Sequence, residues 1–293
     1  MSLKALWDVP APAKLNLFLH VVGRRADGYH LLQSLFVLID WCDSLHFERR
    51  DDGRLQRHDL GAALPADDLT LRAARALQAA SGSPFGADIS IDKRVPWGAG
   101  LGGGSSDAAS TLLALNRLWG LRWPRSRLHA LAQTLGADVP FFVDGHNALV
   151  EGIGEQLTPL AVPRQWFAVA KPPQGLATAD VFSHPDLARD TPTVILSGFL
   201  ADAATPVFWS QGFGRNDLQS PAEERCPAVA EAARWLQARF GNSRMTGSGS
   251  AVFARNGMDD QPLATWPADA LPQGWAGRMC RSLDQHPLAE WAD

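Results

Sequence analysis

Residues 95–110 read VPWGAGLGGGSSDAAS. Gly98, Gly100, Gly102, Gly103 and Gly104 leave room for a ligand against the backbone itself and admit φ values that other residues avoid. The run closes on Ser105, Ser106 and Asp107 at the head of an apolar-periodic segment. Free N–H groups and the positive end of a helix dipole at such a place favour an anion, phosphate above all. Two other residues have the chemistry to act on what is bound there. Asp138 follows Gly136 and precedes Val139-Pro140, a constrained turn that could aim a carboxylate at a hydroxyl proton. Taken alone, an aspartate in such a place is more often a helix cap or turn former. Lys14 lies within an apolar strand pattern, with Asn16 two residues on and therefore on the same face. A lysine there is either a catalytic cation or one snorkelling from a strand end.

Known phosphate loops narrow the reading. The stretch from Gly98 to Gly103 satisfies G-x-G-x-x-G, yet no acidic residue occurs between Asp107 and Asp138, and Pro96 interrupts the strand-to-loop join. A Walker A loop requires lysine after its glycines, and Gly104 is followed by Ser105. The HRD and DFG tripeptides of protein kinases do not occur. Two readings remain: a phosphate loop of another kind, or a flexible linker before a capped helix.

The elements that position these groups can be traced along the chain. Leu15, Leu17, Leu19 and Val21 alternate with Lys14, Asn16, Phe18 and His20, which predicts a strand with one buried face. The Asp27-Gly28 turn signal in GRRADGYH and the apolar LLQSLFVLID beyond it predict a returning strand. Residues 67–80 have helical spacing, ADISIDK alternates as a strand, and Ala108, Leu112, Leu115 and Trp119 form a helical stripe. Ser105 or Ser106 is the expected N-cap of that helix, with Asp107 in its first turn and Gly120 at its end. TPLAVPRQ reads as a linker, placing domains at 1–158 and 159–293. The second half holds a helical stretch over 227–240, then MTGSGSAVFAR, a small-residue loop followed by a strand. Strands and helices mix without regular βα alternation, which points to an α+β fold.

Composition bounds the function. A chain of 293 residues, 46% hydrophobic and 20% charged, builds an ordinary globular core, in two domains by its size. A net charge of −4 offers no general attraction to nucleic acid or an anionic membrane. The three cysteines, Cys42, Cys226 and Cys280, have no short spacing that suggests a disulfide framework or zinc site. The N-terminus has no apolar core of signal-peptide length, and no stretch approaches a membrane span. A cytoplasmic protein is expected, either a monomer or a weak dimer.

PWGAGLGGGSSDAA, at 96–109, resembles the second motif of the GHMP kinases, and MTGSGSAVFA, at 245–254, is similar to their third. PAKLNLFLHVVGRRADGYHLLQSLF, LGADVPFF and GRNDLQ narrow the likeness to members that phosphorylate a cytidine diphosphate alcohol in the non-mevalonate isoprenoid route. The resemblance implies a two-domain α+β fold with the active site in the cleft between domains, and ATP as co-substrate. It assigns catalysis to Lys14 and Asp138. It assigns ATP binding to Lys93, Pro96, Gly98, Gly100, Leu101, Gly102, Gly103, Gly104, Ser105, Ser106 and Asp107, and to Asp68, where relatives usually carry asparagine. Asn16, Tyr29, His30, Thr178 and Phe182 fall to the alcohol substrate, the aromatic rings flanking cytosine. The chemistry implies Mg2+, for which the sequence identifies no ligands. Another GHMP kinase would share the loop but lack Tyr29-His30 and the G-A-D-V-P turn. A silent nucleotide-binding module would not need Lys14 and Asp138 together.

Overall fold

Residues 11–21 of the first strand and 33–39 of the second are buried throughout, so the chain covers both faces of these stretches. The computed structural model describes residues 3–195, 197–199, 205, 208–209, 212–258, 260–267 and 270–292. Strands β1 (Ala5–Arg24) and β2 (His30–Arg50) form a long antiparallel hairpin that sets Ala13 opposite Ile39 and Leu15 opposite Val37. The expectation of one buried face in β1 is corrected here. Every residue from Lys14 to Val21 is buried. In β2 period-two alternation selects between two cores rather than between core and water. Phe36 and Leu38 face helices α1 (Leu69–Ser81) and α2 (Gly103–Leu118), whereas Val37 and Ile39 face a second sheet.

The first sheet also contains β3 (Leu55–Asp59), β4 (Gly86–Asp92), β5 (Ala148–Glu151) and β6 (Gln156–Pro159), in the order β3-β4-β2-β5-β6 with β1 on β2. Helices α3 (Arg125–Gln133) and α4 (Val139–Asp144) pack beside α2. The second sheet begins at β7 (Trp166–Lys171) and adds β8 (Arg244–Met245), β9 (Val252–Arg255) and β10 (Ala276–Arg281), in the order β10-β7-β9-β8. Its inner residues Phe167, Val169 and Phe253 meet β1 and β2. Its other face carries α7 (Pro227–Phe240), reached through the short helices α5 (Thr178–Phe182) and α6 (Gln219–Arg225). Backbone bonds join the two halves, with Leu19 N donating to Arg215 O at 2.9 Å and Asp217 N to Leu19 O at 2.8 Å. The tail returns to the first core through Leu288 and Ala292, where Arg125 donates to the carbonyls of Ala289 and Ala292.

The helices predicted over 67–80 and 227–240 form. The Asp68 side chain caps α1 through Leu71 N, and Gly82 ends it at φ +66°. The cap of α2 differs from expectation. Gly102, at φ +71°, turns the backbone into the helix, so Ser105 and Ser106 fall inside the first turns. Only glycine adopts that conformation without strain, and it displaces the serines from the capping position.

Candidate active site

Three cavities adjoin along the cleft between the two halves. The central one, about 220 Å³, is lined by Lys14, Asn16, Phe36 and Asp138 together with Gly247 and Ser248. It shares Gly98, Gly100 and Gly102 with a donor-side cavity of about 230 Å³ that runs along the glycine loop past Leu69, Trp97 and Ser105. At the opposite end it shares Leu32, Asp138, Thr178 and Phe182 with an outer chamber of about 680 Å³ holding Tyr29 and His30.

The central groups are held by buried hydrogen bonds. Lys14 Nζ stands 3.6 Å from Asp138 Oδ2 and donates to Asn16 Oδ1 at 2.6 Å, so Lys14 and Asn16 do share a face. Its ammonium also lies 4.4 Å from the centre of the Phe36 ring. Burial pulls its pKa below 10.5, and the Asp138 carboxylate opposes that pull. Asn16 donates to Ser34 Oγ at 2.9 Å, while Thr246 Oγ1 accepts from Asn16 N at 2.9 Å and donates to Asn16 Oδ1 at 3.2 Å. Asp138 occupies the N-cap position of α4, yet its side chain makes no capping bond, which leaves the carboxylate facing the cavity. The simple cap reading therefore does not hold.

Glycine is required where two loops meet. A Cβ on Gly100, at φ +73°, would stand 2.2 Å from Thr246 O, and one on Gly247 would stand 2.9 Å from Gly100 Cα. A Cβ on Gly102 would press on the Phe142 ring at 2.9 Å and on Lys14 Cε at 3.2 Å. Lys14 N donates to Leu101 O at 3.0 Å, so the loop is tied directly to the strand bearing the lysine. Asn216 of the GRNDLQ stretch donates to Met245 O and Gly247 O, fixing the facing loop.

The donor-side assignments separate into groups that face the cavity and groups that support it. Pro96, Gly98, Gly103, Gly104 and Ser105 line it. Ser106 and Asp107 are buried beneath the helix start, the Ser106 hydroxyl and Asp107 Oδ1 without hydrogen-bond partners among the described residues. Lys93 reaches the cavity wall, but its ammonium is held by Asp43 and, at 2.6 Å, by Asp107 Oδ2. Burial works against that ammonium, yet Asp107 and Asp43 hold its pKa above the usual value. Burial likewise pushes the Asp107 carboxyl well above the ordinary carboxylate range. Asp68 is committed to the α1 cap and to Arg57 Nη1 at 2.7 Å.

In the outer chamber Tyr29 is 61% exposed, so it does not plug the hairpin against the core. The His30 and Phe182 rings lie 5.0 Å apart. Thr178 Oγ1 and Ser248 Oγ share a hydrogen bond of 2.8 Å. Sequence reasoning missed Ser34, Asp43, Asn216 and Thr246 as individual residues. Thr246 and Asn216 fall within the motif-like stretches already noted, whereas the roles of Ser34 and Asp43 follow from strand register and have no local signal.

The description GHMP kinases N terminal domain matches residues 68–146, and GHMP kinases C terminal matches residues 195–255. The chain belongs to the GHMP kinase family. Two end-to-end relatives are 4-diphosphocytidyl-2-C-methyl-D-erythritol kinases. That of Methylibium petroleiphilum is 64% identical, with 100% of each chain covered, and that of Polaromonas naphthalenivorans is 58% identical over 99% of this chain and 97% of its own. A crystal structure of 4-(cytidine 5'-diphospho)-2C-methyl-D-erythritol kinase matches at a TM-score of 0.76 and 37% identity, covering 93% of this chain and 97% of that one. No helix among the described residues is long and apolar enough to cross a membrane.

Proposed function

We propose that this kinase transfers the γ-phosphoryl group of ATP to the 2-hydroxyl of 4-diphosphocytidyl-2-C-methyl-D-erythritol, giving the 2-phosphate and ADP in the non-mevalonate isoprenoid route. The observation that carries the reading is the row of three joined cavities with Lys14 and Asp138 at its middle. ATP phosphates lie along the glycine loop and the N-terminus of α2, where free N–H groups meet them. The cytidine end occupies the outer chamber among Tyr29, His30 and Phe182. Asp138 accepts the hydroxyl proton as the oxygen attacks the γ-phosphorus, and the bond to the β–γ bridging oxygen breaks. The Lys14 ammonium, 3.6 Å from the Asp138 carboxylate, offsets the charge developing on the attacking oxygen. Asn16 positions that ammonium.

Ser105 lines the donor cavity and carries a hard hydroxyl oxygen, so it would suit Mg2+ held together with a triphosphate. Bound there, the ion would neutralise charge on the transferring group. Lys93 and Asp107 brace the loop from beneath, Lys93 also reaching the cavity wall, whereas Asp68 caps α1, whose Leu69 lines the same cavity. The division between the two domains falls in the connection from Pro159 to Trp166, with the final turn packed back on the first. Three free cysteines suit a reducing cytoplasm.

A coupled ADP-release assay with the cytidine diphosphate alcohol, homoserine, mevalonate and galactose tests the proposal. Turnover with the first alone is expected. Preference for any other alcohol overturns it. In the same assay Asp138→Asn should lose at least about a hundredfold in kcat with ATP affinity retained, the lower scale for removal of a general base.

A further inference from the structure

Arg189 lies between α5 and the outer chamber, and all five of its N–H donors are directed at specific acceptors. Nη1 donates to Leu187 O at 3.0 Å and to Pro185 O at 3.4 Å, and Nη2 to His184 O at 2.8 Å and to Phe182 O at 3.3 Å. The remaining donor, Nε, points at His30 Nε2 at 3.2 Å. A guanidinium has donors and no acceptor, and it stays protonated at any ordinary pH. The nitrogen it addresses must therefore be an unprotonated acceptor. In a neutral imidazole the proton then resides on Nδ1. That nitrogen has no hydrogen-bond partner among the described residues, and the ring forms part of the chamber wall against Phe182. Burial, then the positive charges of Arg189 and Arg24, hold the His30 pKa below its usual value, so the neutral ring persists through the physiological range.

Tautomer decides which base the histidine can read. Cytosine presents an unprotonated N3 acceptor on its pairing edge, whereas uracil presents N3–H at the same place. A ring offering Nδ1–H meets the first with a hydrogen bond and the second with two opposed donors. The opposite tautomer would reverse the preference. We propose that Arg189 is a positioning residue that locks His30 as the Nδ1–H tautomer and thereby selects a cytosine over a uracil nucleotide in the outer chamber. The inference rests on the proposed function, because it takes the cytidine end of the alcohol to lie in that chamber.

Two measurements test it. Nitrogen NMR of the imidazoles in the intact wild-type enzyme, with His30 assigned through His30→Gln, should show a protonated Nδ1 and an unprotonated Nε2. An Nε2–H signature overturns the proposal, whatever the variants do. Second, kcat/KM is compared for the cytidine diphosphate alcohol and its uridine analogue in wild type, Arg189→Met and Arg189→Lys. The wild type should favour cytidine at least about a hundredfold, a site with a fixed donor rejecting an analogue that cannot accept. Arg189→Met should reduce that ratio about tenfold or more with the KM for ATP unchanged, and Arg189→Lys, which retains a donor, should recover part of it. An unchanged ratio in a folded Arg189→Met enzyme overturns the role. Should Arg189→Met not fold, the wild-type NMR signature and the Arg189→Lys ratio still decide. A wild type that phosphorylates neither nucleotide alcohol would instead fail the underlying substrate reading, which the NMR result does not touch.

Discussion

Lys14 has opposing demands on it. Burial disfavours its charge, and the Asp138 carboxylate at 3.6 Å restores it only in part. An ammonium needed in the charged form but with a lowered pKa loses its proton earlier than a free lysine as pH rises. The kcat profile should therefore fall on its alkaline side below pH 10.5, and Lys14→Met should lose at least about a hundredfold in kcat at neutral pH with ATP affinity retained. Isothermal titration with ATP, paired with turnover measurements, separates this from a nucleotide-binding role. Loss of ATP affinity with kcat intact would reassign Lys14. Asn16 and Thr246 contribute differently, since Asn16 accepts from the ammonium and Thr246, from the other half of the molecule, holds Asn16 in place.

Among the elements, the glycine loop performs two tasks that substitution can separate. At Gly100 an added methyl would meet Thr246 O at 2.2 Å with φ at +73°, so Gly100→Ala should destabilise the fold by about 1–3 kcal/mol and lower Tm. At Gly104 the methyl would meet only Leu69 Cδ1 at 3.7 Å, inside α2, where alanine is preferred over glycine by about 1 kcal/mol. Gly104→Ala should leave Tm unchanged or raised and increase the KM for ATP by narrowing the donor cavity. Melting curves and ATP titrations on the two variants check both statements, and an unchanged KM would remove Gly104 from the donor site. The loop and its helix were legible in the sequence because glycine spacing and apolar periodicity are local signals. The N-cap at Gly102 was not, since its left-handed turn competes with two adjacent serines that would each have been acceptable caps. Burial on both faces of β1 was hidden for a different reason. Alternation records which neighbours differ, and here the polar members are buried as well, Lys14 and Asn16 beside the central cavity and His20 against the Phe18 and Phe213 rings. Asp43 was invisible too, as only the fold brings it to Lys93, 50 residues on.

At the scale of the whole molecule the C-terminal tail closes on the first half, and His286 makes that closure depend on pH. Its Nδ1 accepts from Leu288 N at 3.0 Å, its Nε2 is buried without a partner among the described residues, and burial together with Arg125 pulls its pKa down to about 3. The unfolded chain takes up that proton near pH 6.5, so the unfolded state binds more protons between the two values. Stability is fully present above pH 6.5 and should decline towards pH 3 by up to about 1.4 kcal/mol per pH unit. Denaturant melts of wild type and His286→Gln across pH 4–8 check the sign, and a variant with the wild-type slope would show that other groups set it. The row of cavities has a consequence for inhibition. On the function proposed above, the two nucleosides would lie at opposite ends with the transferring group between them, so a compound confined to the 680 Å³ outer chamber would compete with the alcohol and not with ATP. Its potency would then be insensitive to the ATP concentration in a cell, and its selectivity would be set by Tyr29, His30 and Phe182 rather than by a glycine loop common to the family.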